Sequence, residues 1–131
     1  MDRLLNRPAA ALWTVAALGL SLIATGARAG DAAAGRNVFN AQCSTCHSVA
    51  PSGTTIVGPN LYGVVGRKAG TLKGYAYSAA MKGSGFTWTE DQLRTYLPSP
   101  QKVLPGIKMT YFGLKNPVQL ENLIAYLVTL K

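Results

Sequence analysis

Apolar residues recur at helical spacing in three stretches of this chain. From Asp31 to Cys46, the positions Gly35, Phe39 and Cys43 stand four apart, which places them along one face of a predicted helix. A second helix is predicted from Thr89, where "TEDQ" offers a Thr N-cap, a Gln three residues on and two acids in the first turn. It runs through Leu93, Tyr96 and Leu97 and is stopped by Pro98 and Pro100. The last begins at "NPVQ", with Asn116 as N-cap and Pro117 pre-set at the first helical position. It carries the stripe Leu120, Leu123, Ile124, Leu127 and Leu130. A shorter helix around Tyr77 to Lys82 is weakly signalled. No run of alternating β-branched residues is long enough for a sheet, so the expected class is all-α.

One apolar stretch has a different meaning. Ala9 to Thr25 is a run of 17 residues without a charge, preceded by Arg3 and Arg7 and followed by the A-x-A site Ala27-Arg28-Ala29. That is the pattern of a secretory leader over residues 1–29, with residues 30–131 as one domain. The alternative, a retained membrane anchor, is disfavoured because the run is short against the ~20 residues that usually span a bilayer.

The formal charge of the whole chain is +8. Removal of the leader takes Arg3, Arg7, Arg28 and Asp2 with it and leaves about +6. An exported protein does not routinely meet nucleic acid, so a basic surface here points to an acidic protein partner or an anionic membrane surface. The helices are joined by long Gly- and Pro-rich connections such as "GPNLYGVVGRKAGTLKG". About 100 residues arranged in this way bury little apolar surface, and such a chain needs a staple.

Both cysteines and the only histidine fall within "NAQCSTCHSV", residues 40–49. A structural zinc site wants four protein ligands, and Cys43, Cys46 and His47 provide three with no further Cys or His. A Cys-x-x-Cys redox pair normally opens a helix after a strand, whereas this one closes a helix in a chain without strands. Cys-x-x-Cys-His is the attachment signature of c-type haem. On a helical turn, positions i, i+3 and i+4 share a face, so two thiols can reach one porphyrin while the histidine addresses its iron. Such a group would also supply the missing core.

From about Gly35 to Leu127 the chain resembles class I cytochrome c. The matching pieces occur in order: "GRNVF", "CSTCH", "GPNLYGVVGRKAG", "GYAYS", "GFTW", "PGIKMTY" and "LIAYL". The resemblance implies terminal helices packed together and long loops wrapping one haem c, attached through Cys43 and Cys46, with His47 and Met109 as the iron's axial ligands. It implies that the Pro59 carbonyl accepts the His47 ring N–H and that Tyr77 and Trp88 hydrogen-bond a buried propionate. By the same resemblance Arg67 offsets propionate charge, and the Tyr96 hydroxyl approaches the methionine sulfur. Gly35 and Phe39 would pack against Leu123, Tyr126 and Leu127. Apart from the resemblance, a methionine in a Gly/Pro loop is an odd core residue, and buried Tyr or Trp needs a polar partner. Tyr77, Trp88 and Tyr96 also suit ordinary core packing, and Met81 is a second methionine that could serve as ligand.

Two positions depart from the family pattern. Ile107 stands where many members have a hydroxyl residue in the methionine loop, and Met81 stands where many have a polar one. The expected function is that of a periplasmic one-electron carrier of a respiratory or photosynthetic chain, a monomer docking acidic redox proteins. Neither enzymatic activity nor a small-molecule substrate is expected, since a saturated iron leaves no open position. Lys73, Lys82, Lys102, Lys108 and Lys115 are the candidate docking cations. The alternatives are a dedicated cytochrome subunit of a periplasmic dehydrogenase or oxidase, and a ligand-binding or peroxidatic haem protein.

Overall fold

The structure, a computed structural model, describes residues 29–131. Except for Ala29, the expected leader lies outside them. The described residues form five helices: α1 (Ala32–Gln42), α2 (Ala79–Gly83), α3 (Glu90–Tyr96), α4 (Pro100–Val103) and α5 (Pro117–Val128). No strand accompanies them, only an isolated bridge between Lys68 and Thr87. The expected all-α class holds.

Side chains start four of these helices. The Asp31 carboxylate accepts the amides of Ala33 and Ala34, and Asn116 accepts those of Val118 and Gln119. Thr89 accepts the Gln92 amide, as its spacing implies. Ser78 accepts the Met81 amide, so α2 begins at Ala79 and not at the expected Tyr77. A serine hydroxyl stabilises a helix start better than a helix interior.

Two further expectations need correction. Helix α1 ends at Gln42, not at Cys46, because Cys43 departs to φ −120°. The Phe39 carbonyl there accepts both the Cys43 and Ser44 amides, at 2.8 and 3.0 Å, and the ladder stops. Residues 43–47 form a separate turn, in which the Cys43 carbonyl accepts the Cys46 and His47 amides at 3.0 and 2.9 Å. Helix α4 was not foreseen. Pro100 closes the pattern of α3 but also opens α4 at its first position, where its missing N–H costs nothing.

Helices α1 and α5 carry the core. Val38 and Phe39 from α1 meet Leu120, Leu123, Ile124 and Leu127 from α5, all buried. The Phe39 and Tyr126 rings lie 5.7 Å apart. Their approach is set by Gly35, where a Cβ would stand 1.8 Å from the Asn122 carbonyl oxygen. Helix α3 joins them through Arg94, whose guanidinium donates to both oxygens of Glu121 at 2.6 and 3.0 Å.

Gly35→Ala should therefore destabilise. Alanine gains roughly 1 kcal/mol of helix propensity. Overpacking against a backbone carbonyl costs about 1–3 kcal/mol, and the obstacle here cannot rotate away. The expected net loss is up to about 2 kcal/mol in urea unfolding of the holoprotein. Gly83→Ala, with open space at its Cβ, should be neutral or slightly stabilising. Equal effects at both sites would refute the close-packing account.

The Arg94 bond holds the Glu121 carboxyl below its ordinary value of 4.5. A depressed folded-state pKa adds stability above the unfolded value, and that stability is lost as pH falls through the folded one. The pair is more than a third exposed on both sides, so its worth is ~0.2–1 kcal/mol. Glu121→Gln should lower stability by that amount at pH 7, and the difference should shrink away as pH falls below 4.5 through the folded-state pKa. A difference constant with pH would place its cause elsewhere.

Candidate functional site

The turn after α1 and the loop after α4 open onto one apolar cavity of about 410 Å³. That size suits a single organic group. Its wall includes Phe39, Leu93, Leu123 and Leu127 from three helices, and no Asp or Glu lines it. All nine predicted site residues line it: Cys43, Cys46, His47, Pro59, Arg67, Tyr77, Trp88, Tyr96 and Met109. Met81 lines it too.

The histidine is fixed from two sides. Its Nδ1 lies 2.8 Å from the Pro59 carbonyl oxygen, and since a carbonyl only accepts, Nδ1 must carry the proton. Nε2 is then the nitrogen with a free lone pair. Gly58 lies under the ring, where a Cβ would stand 2.6 Å from Cε1. Burial lowers the imidazole pKa, and the Pro59 bond offsets part of that shift, so the neutral ring is favoured.

The two thiols form no disulfide; Cys43 is half-buried and Cys46 exposed. Burial first, and Cys46 second, push the Cys43 thiol up to about 11. Reactive redox thiols are shifted the other way, which argues against a dithiol oxidoreductase. A bare metal ion fits no better, for no three of His, Cys, Asp and Glu converge on a point among the described residues.

Polar groups gather at one side of the cavity. Gly66 donates to the Trp88 carbonyl and Trp88 to that of Arg67, both at 2.9 Å, which fixes Arg67 beside Trp88. The Arg67 guanidinium donates to the carbonyls of Asn60 and Tyr62, at 2.8 and 3.3 Å. Burial lowers its pKa, with Tyr77 acting in the opposite sense, and burial raises that of Tyr77. Tyr96 packs edge-on to Trp88, 4.9 Å between centroids. Its hydroxyl is buried with no partner among the described residues, and burial pushes its pKa up to about 12. A buried hydroxyl without an acceptor is costly. This orphan, in an apolar cavity lined by both thiols and a neutral imidazole, fits a large planar group with polar substituents.

Met109 lies in an irregular loop. The loop is tied to α4 through Gln101, whose Nε2 donates to the Ile107 and Met109 carbonyls at 3.2 and 2.7 Å. Lys108 Nζ donates to the Ala76 carbonyl at 2.5 Å, and the Tyr111 hydroxyl to Gln42 beside the cysteines at 2.5 Å. Ile107 is buried in the core. Neither Gln101 nor Tyr111 was expected from the sequence. Asn60 was also missed, although it is only 1% exposed. Its side chain donates to the Ala50 and Thr54 carbonyls and accepts the Tyr62 amide, holding the loop that carries Pro59. A polar residue inside the quoted "GPNLYG" block was the available signal.

Residues 32–131 match the Cytochrome c family. The chain is 46% identical to cytochrome c of Guizotia abyssinica over 77% of its own length and 91% of that protein. It is 48% identical to cytochrome c2 of Blastochloris viridis over 77% and 79% of the two chains. The solved structure of cytochrome cH from Methylobacterium extorquens superposes with a TM-score of 0.71 at 46% identity, covering 76% of this chain and 99% of that one. With the cavity and its thiols, these similarities establish that the chain belongs to the cytochrome c family of electron carriers, whose single iron-bearing haem c is held covalently through Cys43 and Cys46.

Proposed function

We propose that this chain is a periplasmic one-electron carrier whose haem iron is held between His47 and Met109, and that residues 1–29 are the leader that exports it. The observation that carries the ligand assignment is the His47–Pro59 bond, which leaves Nε2 as a free donor in a cavity shared with Met109. When bound, the haem supplies an iron that alternates between two oxidation states. A thioether and an imidazole as its two protein ligands would raise the reduction potential.

The remaining residues act on that centre by position and polarity. Pro59 keeps His47 in one tautomer and orientation. Tyr77 and Trp88 bring donors for the propionates, and Arg67 brings the cation that offsets their charge. The Tyr96 hydroxyl, without a partner among the described residues, is reserved for the haem side, toward the methionine sulfur. The apolar wall keeps water and bulk dielectric away from the iron. With His47 and Met109 both holding the iron, no position would be left for a substrate, so the protein is a carrier and not an enzyme. No helix among the described residues is long and apolar enough to cross a membrane. A monomer is the proposed state.

Partner choice follows from charge at the cavity mouth. Lys108 is exposed there, and Lys102 borders the adjoining groove beside Phe112. The ammonium groups of Lys108 and Lys115 are also tied down, Lys115 by the Pro98 carbonyl and the Ser99 hydroxyl. Lys102 is therefore the cleaner probe of docking. The excess positive charge favours an acidic protein partner. One observation favours a second reading, a dedicated subunit of a periplasmic dehydrogenase or oxidase. Phe112 is 93% exposed and Val57 71% exposed, and both line the cavity at its surface. Exposed apolar side chains grouped at a functional opening mark contact sites.

Salt separates the two. Steering between exposed charges is screened over ~8 Å at physiological ionic strength. Electron transfer from the reduced holoprotein into membranes of its own cells, followed by stopped flow, should slow several-fold from low to physiological salt. Lys102→Glu should slow it further at low salt and leave the visible spectrum intact. Rates independent of salt, together with co-purification of a partner, would favour the subunit.

A further inference from the structure

We propose that Gln101 is a positioning residue for the haem ligand, a clamp that holds the methionine loop closed in place of a loop hydroxyl. The inference rests on Met109 being the axial ligand.

The Gln101 amide nitrogen has two N–H donors, and the structure uses both. One meets the Ile107 carbonyl at 3.2 Å and the other the Met109 carbonyl at 2.7 Å. Both partners only accept, so the amide must face them with its nitrogen, and its orientation is settled by chemistry. The bonds grip the residues on either side of Lys108, whose own ammonium reaches Ala76. Three consecutive residues of the loop are thus held by side chains, two of them by one amide.

The platform behind the clamp is firm. Pro100 is one of the most completely buried side chains, and α4 is closed by amide bonds from Val103 to Ser99 and from Leu104 to Pro100, at 3.0 and 2.9 Å. Ile107, the middle of the "PGIKM" loop, turns its apolar side chain into the core. It has no hydroxyl with which to anchor the loop. Its carbonyl is anchored instead, from outside, by Gln101. The amide is exposed as a residue, so its replacement empties no core space.

Holding the Met109 carbonyl limits the backbone rotations that would swing the thioether out of the cavity. An external ligand binds the iron only in the fraction of molecules whose loop has opened, so its apparent affinity reports that fraction. Loss of two ordinary hydrogen bonds corresponds to roughly a tenfold shift in the opening equilibrium.

The test titrates ferric holoprotein with imidazole and follows its visible spectrum, in Gln101→Leu, Gln101→Glu and Gln101→Lys. Leucine has no donor, and glutamate keeps the length but turns acceptors toward two carbonyls. Both should raise imidazole affinity about tenfold. Lysine restores a donor and should return most of the difference. The same Gln101→Leu change made in Met109→Ala should have no effect, because the clamp acts through the ligand it holds. Unchanged affinity in the leucine and glutamate variants would overturn the proposal. So would an equal change with and without Met109, which would mark a merely structural residue. If the parent protein already binds imidazole as tightly as Met109→Ala does, the axial assignment fails, and the clamp falls with it. That outcome is read before any Gln101 variant is made.

Discussion

The close approach of α1 and α5 is the constraint from which the rest of the molecule is built. At Gly35 the Asn122 carbonyl occupies space that any side chain would need, and at Gly30 the Glu121 carbonyl does the same. With these two glycines flanking one turn of α5, the helices meet backbone to backbone, and the Asp31 amide reaches the Asn122 side chain at 2.8 Å. The crossing holds α1 against α5, and the turn with Cys43, Cys46 and His47 emerges from its end. It also turns Leu123 and Leu127 of α5 toward the cavity as part of its wall. The haem site is thus a consequence of a helix contact made on its far side.

Much of the chain between these helices has no ladder of its own, and its carbonyls must be satisfied in other ways. Side chains do this. Asn60 holds the turn before Pro59, Arg67 holds Asn60 and Tyr62, Lys108 holds Ala76, and Gln101 holds the methionine loop. The loops are irregular yet tied, which lets a short chain enclose a large apolar group. The group in turn supplies contacts that 13 buried apolar side chains would otherwise have to provide among themselves. Tyr96 is the exception that shows the dependence, a buried hydroxyl with no partner among the described residues.

The legible features in the sequence were those with local causes. Caps at Thr89 and Asn116, the stripe of α5 and the five-residue attachment signature each depend on neighbours a few positions away. The end of α1 was misjudged because the i, i+3, i+4 spacing of Cys43, Cys46 and His47 is shared by a helix and by an isolated turn. Helix α4 was missed because proline stops one helix and starts another with the same ring. The pairing of residues 66–69 with 86–88 has no signature at all, since three hydrogen bonds need no alternating run. The roles of Gln101 and Asn60 were equally hidden. A polar side chain whose partners are carbonyls leaves no pattern, because every residue has one. The resemblance to class I cytochromes gave the cavity residues directly, yet it could not say which lysines were already engaged.

The central claim is that Met109, not Met81, faces His47 across the iron, and both methionines line the cavity. The porphyrin ring current shifts any methyl group lying over its face far upfield. The direct measurement is therefore a carbon–proton NMR spectrum of reduced holoprotein with labelled methionine methyls. One methyl should lie far upfield, persist in Met81→Leu and disappear in Met109→Leu. Loss of that resonance in Met81→Leu, or a spectrum with no methyl so shifted, would contradict the account.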